Sequence, residues 1–326
     1  MPRSIADRVH ENLKRFSPGS SPVQRKVDVA FVKSTNHDDG PPKDKHVRKL
    51  LAVSEEEDRG LQVHLIRQVE RNVLQGTDCV VVAKTLVLLH KLLREGGSAF
   101  KENFYKGFSH LFDHLCNFKD DASRMSWQLS TFIRAYSAFL HQRCILYSSY
   151  PYEQDESRPA DLDTQGLLSE LPCMQKAIDL GLQVGVSTDV VEAMSPGGLQ
   201  GYAQHLVLGD VLTLCLFMMK AIPTLVETFF RNCSPAYLSE ANDLCLIYKE
   251  SRNLIERMSN LDESKLGHWG GLELTIPPLS LAESMQEAIA KVKKSPEQVV
   301  ANLSGLTDIS STSSPRSQGA SELLLQ

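Results

Sequence analysis

The stretch Lys33-Ser-Thr-Asn-His-Asp-Asp-Gly-Pro-Pro-Lys-Asp-Lys-His46 gathers three lysines and two histidines around a pair of prolines. Proline cannot continue a preceding helix because it lacks an amide proton, but its fixed φ angle suits the start of a new one. We therefore expect one helix from about Pro22 to Val32 and a second helix that begins near Lys43. The turn Ser34–Gly40 between them should fold Lys33 back towards Lys43.

The start of this second helix is suited to bind a polyvalent anion. Its unpaired backbone N–H groups and the positive end of its dipole favour negative charge, by about 0.3–1 kcal/mol at an exposed site. Lys43 and Lys45 add full charges there, and each lysine acts on phosphate as a point charge. The alternative is a solvated group of lysines whose field is partly offset by three neighbouring acids, Asp38, Asp39 and Asp44.

The spacing Lys-x-Thr-x-His-(four residues)-Pro-Lys-x-Lys-His resembles, at every position, the inositol-lipid signature of the ANTH domain, the membrane-binding module of clathrin assembly proteins. Later blocks of the family follow in order: Val80-Val-Val-Ala-Lys-Thr-Leu-Val-Leu-Leu-His90, Asn117-Phe-Lys-Asp120, Ser130-Thr-Phe-Ile-Arg-Ala-Tyr-Ser137 and Ile247-Tyr-Lys249. The resemblance covers roughly Ser4 to Val292, and plant-type members are the most similar.

This resemblance implies a set of ligands for the headgroup of phosphatidylinositol 4,5-bisphosphate. The implied ligands are Lys33, Lys43, Lys45, His46 and His37. The family also implies a non-enzymatic cytosolic adaptor that needs no cofactor and takes part in clathrin-coated vesicle formation and endocytosis. Its place would be the plasma membrane and clathrin-coated pits and vesicles, with the Golgi as an alternative. SNARE cargo would dock between about Gly201 and Val292.

Composition is consistent with an intracellular helical protein. The 326 residues are 42% hydrophobic, which is enough for a sizeable core, and no apolar run approaches the roughly 20 residues that span a bilayer. The N-terminus lacks the apolar stretch of a secretory signal. Seven cysteines without a Cys-x-x-Cys pair argue against a disulfide framework and a zinc module.

The net charge of −5 does not oppose binding to an anionic surface, because screening over about 8 Å at physiological salt isolates the lysines from distant acids. Nucleic-acid binding is not expected, since a broad basic stripe with interleaved aromatic residues is missing.

Apolar residues recur with a helical period along nearly the whole chain. One such face comprises Val63, Ile66, Val69 and Val73. Helix breakers, such as Gly96-Gly97 and Pro196–Gly198, divide the chain into about ten helices. The sequence therefore predicts an all-α fold of the ANTH/ENTH type, a stack of antiparallel helices over residues 17–293 that is α-solenoid-like in its N-terminal half.

Two end segments differ from this body. In residues 1–16, apolar side chains at helical spacing alternate with basic ones and predict an amphipathic helix that inserts into the headgroup region. The apolar set is Ile5, Val9, Leu13 and Phe16. The alternative is an ordinary surface helix. Residues 294–326 are rich in serine and predict a short disordered tail. This tail lacks the Asn-Pro-Phe, Asp-Pro-Phe and clathrin-box motifs of longer family members, which argues against direct contact with clathrin.

Other chemistry finds little support in the sequence. His110 and His114 lie one helical turn apart, but no third metal ligand follows at a useful spacing, so we expect no metal site. His90 shares a face with Leu86 and Leu93, which indicates a hydrogen-bonded core histidine. Two rival classes remain: a helical scaffold that binds only protein, and an enzyme whose site is assembled from residues distant in sequence.

Overall fold

The computed structural model describes residues 21–76, 78–150, 160–186, 198–261 and 274–307, with side chains up to residue 294. Within these ranges the chain forms eleven α-helices, one short 3-10 helix over Pro235–Tyr237 and no strand. The α-helices are α1 (Pro22–Ser34), α2 (Asp44–Glu55), α3 (Arg59–Gln75), α4 (Cys79–Glu95), α5 (Ser98–Gly107), α6 (His110–Leu115), α7 (Arg124–Ser149), α8 (Thr164–Val186), α9 (Leu199–Asn232), α10 (Leu238–Ser259) and α11 (Leu279–Thr307). The predicted all-α class is confirmed.

Local capping explains where several helices begin. Ser21 and Gln24 form a reciprocal capping box at α1, with Pro22 in the first turn. Asp58 accepts hydrogen bonds from two amides at the start of α3, and Asp78 does the same for α4. These short polar caps fix the helix starts that the sequence predicts only approximately.

The helices pack as two groups that share α7. In the first group, α1 to α6 pack around α3 and α4, and consecutive helices joined by short turns are neighbours. In the second group, α8, α9 and α10 pack against one another and α11 packs on α10. Because α7 contacts both α4 and α8, it joins the two groups.

Glycine allows α8 and α9 to approach each other closely. A Cβ atom on Gly181 would lie 2.3 Å from Cγ2 of Val211, and one on Gly185 would lie 2.4 Å from Cδ2 of Leu208. Larger residues at these positions would therefore push α8 away from α9.

A cluster of charged side chains, which we call the buried ionic cluster, joins α4, α7 and α9. Asp210 accepts from His90 Nε2 at 2.7 Å and from Arg143 Nε at 2.5 Å, and its second oxygen lies 3.3 Å from Nη1 of Arg94. His90 Nδ1 lies 2.8 Å from the hydroxyl of Tyr136. His90 is fully buried, which confirms it as a hydrogen-bonded core histidine.

Burial favours the neutral form of Asp210, but the charge of Arg143 and the contacts with His90 outweigh burial and lower the pKa of this carboxyl. For His90, burial dominates and lowers the pKa. Asp210 is therefore ionised and His90 neutral at pH 7.

One described helix, α9, is long and apolar enough to cross a membrane by length and composition alone. The expectation that no apolar run approaches the length needed to span a bilayer is therefore wrong for α9. Most of its apolar part is buried, it packs against α8 and α10, and it carries Asp210 of the buried ionic cluster. These are features of a core helix.

The structure bears differently on the predictions for the two end segments. Residues 1–16, with the predicted inserting side chains, lie outside the described residues. The last helix, α11, continues to Thr307, so residues 295–307 are helical where the sequence predicts disorder. Good helix formers such as Glu297, Gln298, Ala301 and Leu303 are frequent there and favour a helix despite the serines. The domain limits 17 and 293 stay predictions.

Candidate functional site

The predicted lysines lie where α1 ends and α2 begins. Lys33 is in the last turn of α1, Lys43 is the N-cap residue of α2, and Lys45 and His46 follow in its first turn. The three lysines are exposed and His46 is half-buried. The predicted arrangement of two helices joined by a turn is therefore confirmed. Both prolines lie just before the N-cap of the second helix.

The pKa of His46 is affected by the neighbouring lysines. Burial lowers the pKa of its ring, and the charges of four lysines lower it further. Those lysines are Lys45, Lys33, Lys49 and Lys43. We call these five residues the basic cluster. The lowered pKa favours the neutral imidazole at pH 7.

Lys49 is the member of the basic cluster that the sequence did not assign as a ligand. It lies four residues after Lys45 and three after His46, which places all three on one face of α2. This i, i+4 spacing is the signal that could have identified it.

Two of the neighbouring acids have partners of their own. Asp44 lies 2.6 Å from Nη2 of Arg48 and 3.9 Å from Nζ of Lys91. Asp38 forms a salt bridge with Lys84 of α4. In the described part of the chain, none of the four lysines of the basic cluster forms a salt bridge. Among the described residues, the four lysines are therefore not neutralised by direct ion pairs.

Lys84 fastens the turn between α1 and α2 to α4. Its side chain is fully buried, and its ammonium group donates to Oδ1 of Asn36 at 2.6 Å as well as to Asp38. Burial raises the pKa of Asp38, but the hydrogen bonds from Lys84 and Asn36 outweigh it, and the net pKa is lowered. The nearby charge of Lys43 also lowers it, so Asp38 remains within reach of the cluster.

Further hydrogen bonds hold the same turn. The carbonyl of Asp39 accepts from the backbone N–H of Leu199 at the start of α9, at 2.9 Å. The buried hydroxyl of Thr35 donates to the Phe31 carbonyl at 3.0 Å and accepts from Nδ2 of Asn72 at 3.3 Å. Thr35 in the signature is thus a structural residue, and the turn is held on a rigid support.

His37 forms its contact with α4. Its Nδ1 lies 2.7 Å from Oδ2 of Asp78, the N-cap residue of α4. The hydrogen bond from His37 is the main cause that lowers the pKa of Asp78. The structure brings Lys33, Lys43, Lys45 and His46 together but gives His37 this other contact, and its role as a ligand stays a prediction.

The amino end of α2 adds to the positive field. Lys43 has no acceptor in its side chain, so it does not cap the amides of the first turn. The dipole of α2 and the exposed ammonium groups therefore act on the same place. Among the described residues, no group of three or more His, Cys, Asp or Glu side chains is placed to hold a metal ion.

The described part of the chain is an all-helical stack with exposed lysines around the start of one helix. The family model for the ANTH domain matches residues 26–279. Because this match covers well over half of the chain, the chain belongs to the ANTH domain family, which confirms the resemblance noted in the sequence.

Individual relatives agree with this assignment. A protein of Arabidopsis thaliana named as a clathrin assembly protein is 32% identical over 295 residues, which is 82% of this chain and 49% of the relative. The phosphatidylinositol-binding clathrin assembly protein of Homo sapiens is 26% identical over 304 residues, 89% of this chain and 43% of the relative. The chain thus spans about half the length of these curated relatives.

A solved structure supports the fold. The ENTH domain from epsin-2, determined in complex with phosphatidylinositol 4,5-bisphosphate, superposes with a TM-score of 0.56 at 18% identity. The superposition covers 81% of this chain and all of that domain.

Proposed function

We propose that this chain is a membrane adaptor that binds phosphatidylinositol 4,5-bisphosphate through the basic cluster. The observation that carries the proposal is the grouping of exposed lysines where α1 ends and α2 begins, while Asp38 and Asp44 pair with other cations. A headgroup with several phosphates matches this concentration of charge better than a single monovalent anion does, because each lysine acts as a separate point charge.

The names of similar proteins support the proposal of lipid binding. One relative is named as a phosphatidylinositol-binding clathrin assembly protein, and the ENTH domain of similar fold was determined in complex with phosphatidylinositol 4,5-bisphosphate. We propose that this chain likewise works without catalysis, on the cytosolic leaflet, in the formation of clathrin-coated vesicles at the plasma membrane. Clathrin coat components and SNARE cargo would be its partners.

The N-terminal segment extends this proposal. If Ile5, Val9, Leu13 and Phe16 insert below the headgroups, removal of residues 1–16 will weaken binding to small, highly curved liposomes more than to large ones. Equal binding of the full and shortened chains to both sizes would contradict insertion.

The central test is co-sedimentation with liposomes at physiological salt, with and without a few per cent phosphatidylinositol 4,5-bisphosphate. The variant Lys43→Glu, Lys45→Glu reverses two charges of the basic cluster. We expect lipid-dependent pelleting of the natural protein and its loss in this variant.

A matched control uses exposed lysines on α11. Lys291→Glu, Lys293→Glu makes the same change of net charge at the same spacing, and we expect it to pellet almost like the natural protein. Equal pelleting of both variants, or none from the natural protein, would overturn the proposal and favour a scaffold that binds only protein.

A further inference from the structure

Two large apolar side chains are exposed at the start of α7. Trp127 is 55% exposed and Met125 is 43% exposed, although both residue types are usually well buried. Arg124, which precedes Met125 in the chain, and Lys119 in the segment before α7 are exposed as well. An amphipathic indole next to cations is typical of a membrane–water interface, where the ring lies at the level of the headgroups.

This segment lies at the same end of the helical stack as the basic cluster. The turn after α1 contacts the start of α4 through His37 and Asp78. The start of α4 contacts the segment before α7, because the backbone N–H of Cys79 donates to Oδ2 of Asp120 at 3.3 Å. Trp127 is the fourth residue of α7, so it lies only about 6 Å along the helix axis from that end.

The segment before α7 is held rigidly in place. Asp120 N–H donates to the hydroxyl of Ser130 at 2.8 Å, and Nη1 of Arg134 donates to the carbonyl of Phe118, also at 2.8 Å. Ser123 caps α7 by accepting from the amide of Ser126 at 3.0 Å. The backbone that carries Trp127 is therefore ordered before it meets a surface, which lowers the entropic cost of binding.

The acids of this segment do not oppose contact with an anionic surface. Asp121 pairs with Lys119 at 2.9 Å. Asp120 accepts from the backbone amides of Cys79 and Ala122. With Arg124 added, the segment from Lys119 to Trp127 carries two cations and two engaged carboxylates, and its net charge is zero.

We infer that Trp127 and Met125 form a second membrane contact, which enters the headgroup region of the bilayer when the basic cluster holds its anionic lipid. The inference rests on the proposed function, since the basic cluster brings this end of the stack to the membrane. The cluster would supply the lipid dependence, and the indole would add affinity that does not depend on salt.

Intrinsic fluorescence gives the test, because the chain has two tryptophans and Trp269→Phe leaves Trp127 alone. Liposomes with phosphatidylinositol 4,5-bisphosphate should shift its emission to the blue, and lipids brominated on the acyl chains near the headgroups should quench it. The bound fraction is measured in the same samples by sedimentation. Bound protein whose emission neither shifts nor is quenched would overturn the inference and leave the lipid-binding proposal intact.

A second measurement uses substitutions that change one exposed aromatic side chain each. Trp127→Ser should weaken liposome binding about fivefold, as expected for losing partial burial of an indole. Tyr237→Ser is the matched control, because Tyr237 is 54% exposed and follows the far end of α9, about 50 Å from its start. Equal affinity of the two variants would also contradict the inference, and failure of the natural protein to pellet would overturn both proposals.

Discussion

The basic cluster and the buried ionic cluster use the same kinds of side chain in opposite ways. In the buried ionic cluster, Arg143 and Arg94 share the carboxylate of Asp210, and three helices meet around it. In the basic cluster, four lysines surround His46 without a salt bridge within the described residues. Buried charges must be paired within the protein, whereas exposed charges can remain unpaired in water.

The comparison separates stability from binding. A protein gains nothing for folding by gathering like charges at its surface, because they repel one another. Such a cluster is therefore better explained by an external anion. The two regions should consequently respond differently to substitution: the buried ionic cluster through the free energy of unfolding, and the basic cluster through affinity for anionic lipid.

The largest expected effect is on stability. Asp210→Asn removes the carboxylate that contacts Arg143, Arg94 and His90, and breaking a buried ion pair by removing one partner costs about 3–5 kcal/mol. Urea unfolding followed by circular dichroism measures this loss. The folded fraction should keep its affinity for liposomes that contain phosphatidylinositol 4,5-bisphosphate. A loss below 1 kcal/mol would show that the buried ionic cluster does not hold the helices together.

Charge reversal at Lys49 sharpens the limits of the basic cluster. Lys49→Glu replaces an attraction by a repulsion near the headgroup, and a change of roughly 1.4 kcal/mol is about tenfold in affinity. Titration with liposomes at two salt concentrations measures it, and the gap from the natural protein should narrow at high salt. An unchanged affinity would remove Lys49 from the site.

Lys84 is relevant to both stability and lipid binding, because it is a buried cation that holds the turn between α1 and α2. Lys84→Met removes the salt bridge, so Asp38 keeps its hydrogen bond from Asn36 but loses its cationic partner, and its charge then offsets that of Lys43. We expect about fivefold weaker lipid binding. Adding Asp38→Asn to the same chain should restore most of the affinity, since the freed carboxylate is then gone. No recovery in the double variant would mean that Lys84 acts by another route.

The smallest expected effect concerns pH. The pKa of His46 lies below 6.5 because of burial and the surrounding lysines, and a bound polyanion offsets those charges and raises the pKa. Binding then takes up a proton, so affinity should rise about twofold as pH falls from 7.5 to 6. The control is His46→Gln, measured with the same liposomes, because the lipid phosphates also titrate. Identical pH profiles for both proteins would exclude this role.

Much of this structure was predictable from local sequence rules. The prolines and Lys43 located the start of α2, and the helical period identified a buried face at Ile66, Val69 and Val73, although Val63 of the same set is only half-buried. Long-range pairings were not predictable in this way. Nothing in the spacing shows that Lys84 would be buried against Asp38, or that His37 would meet Asp78 41 residues later. Such contacts depend on how helices stack, which one sequence does not specify.

The site was likewise only partly predictable. The signature identified four residues that the structure brings together, but it did not separate binding residues from structural ones such as Thr35. Lys49 was missed because the signature ends at His46. The partners of Asp210 could not be predicted either, since Arg143 and His90 lie on different helices and meet only in the fold.

The most direct test of the central claim is calorimetric titration with the soluble headgroup, inositol 1,4,5-trisphosphate, which needs no membrane. The natural protein should show saturable binding to one site, and Lys43→Glu, Lys45→Glu should abolish it without lowering the melting temperature. The Lys291→Glu, Lys293→Glu control should bind like the natural protein. Absence of binding by the natural protein, or equal binding by the Lys43→Glu, Lys45→Glu variant, would contradict the assignment of the basic cluster as an anion site.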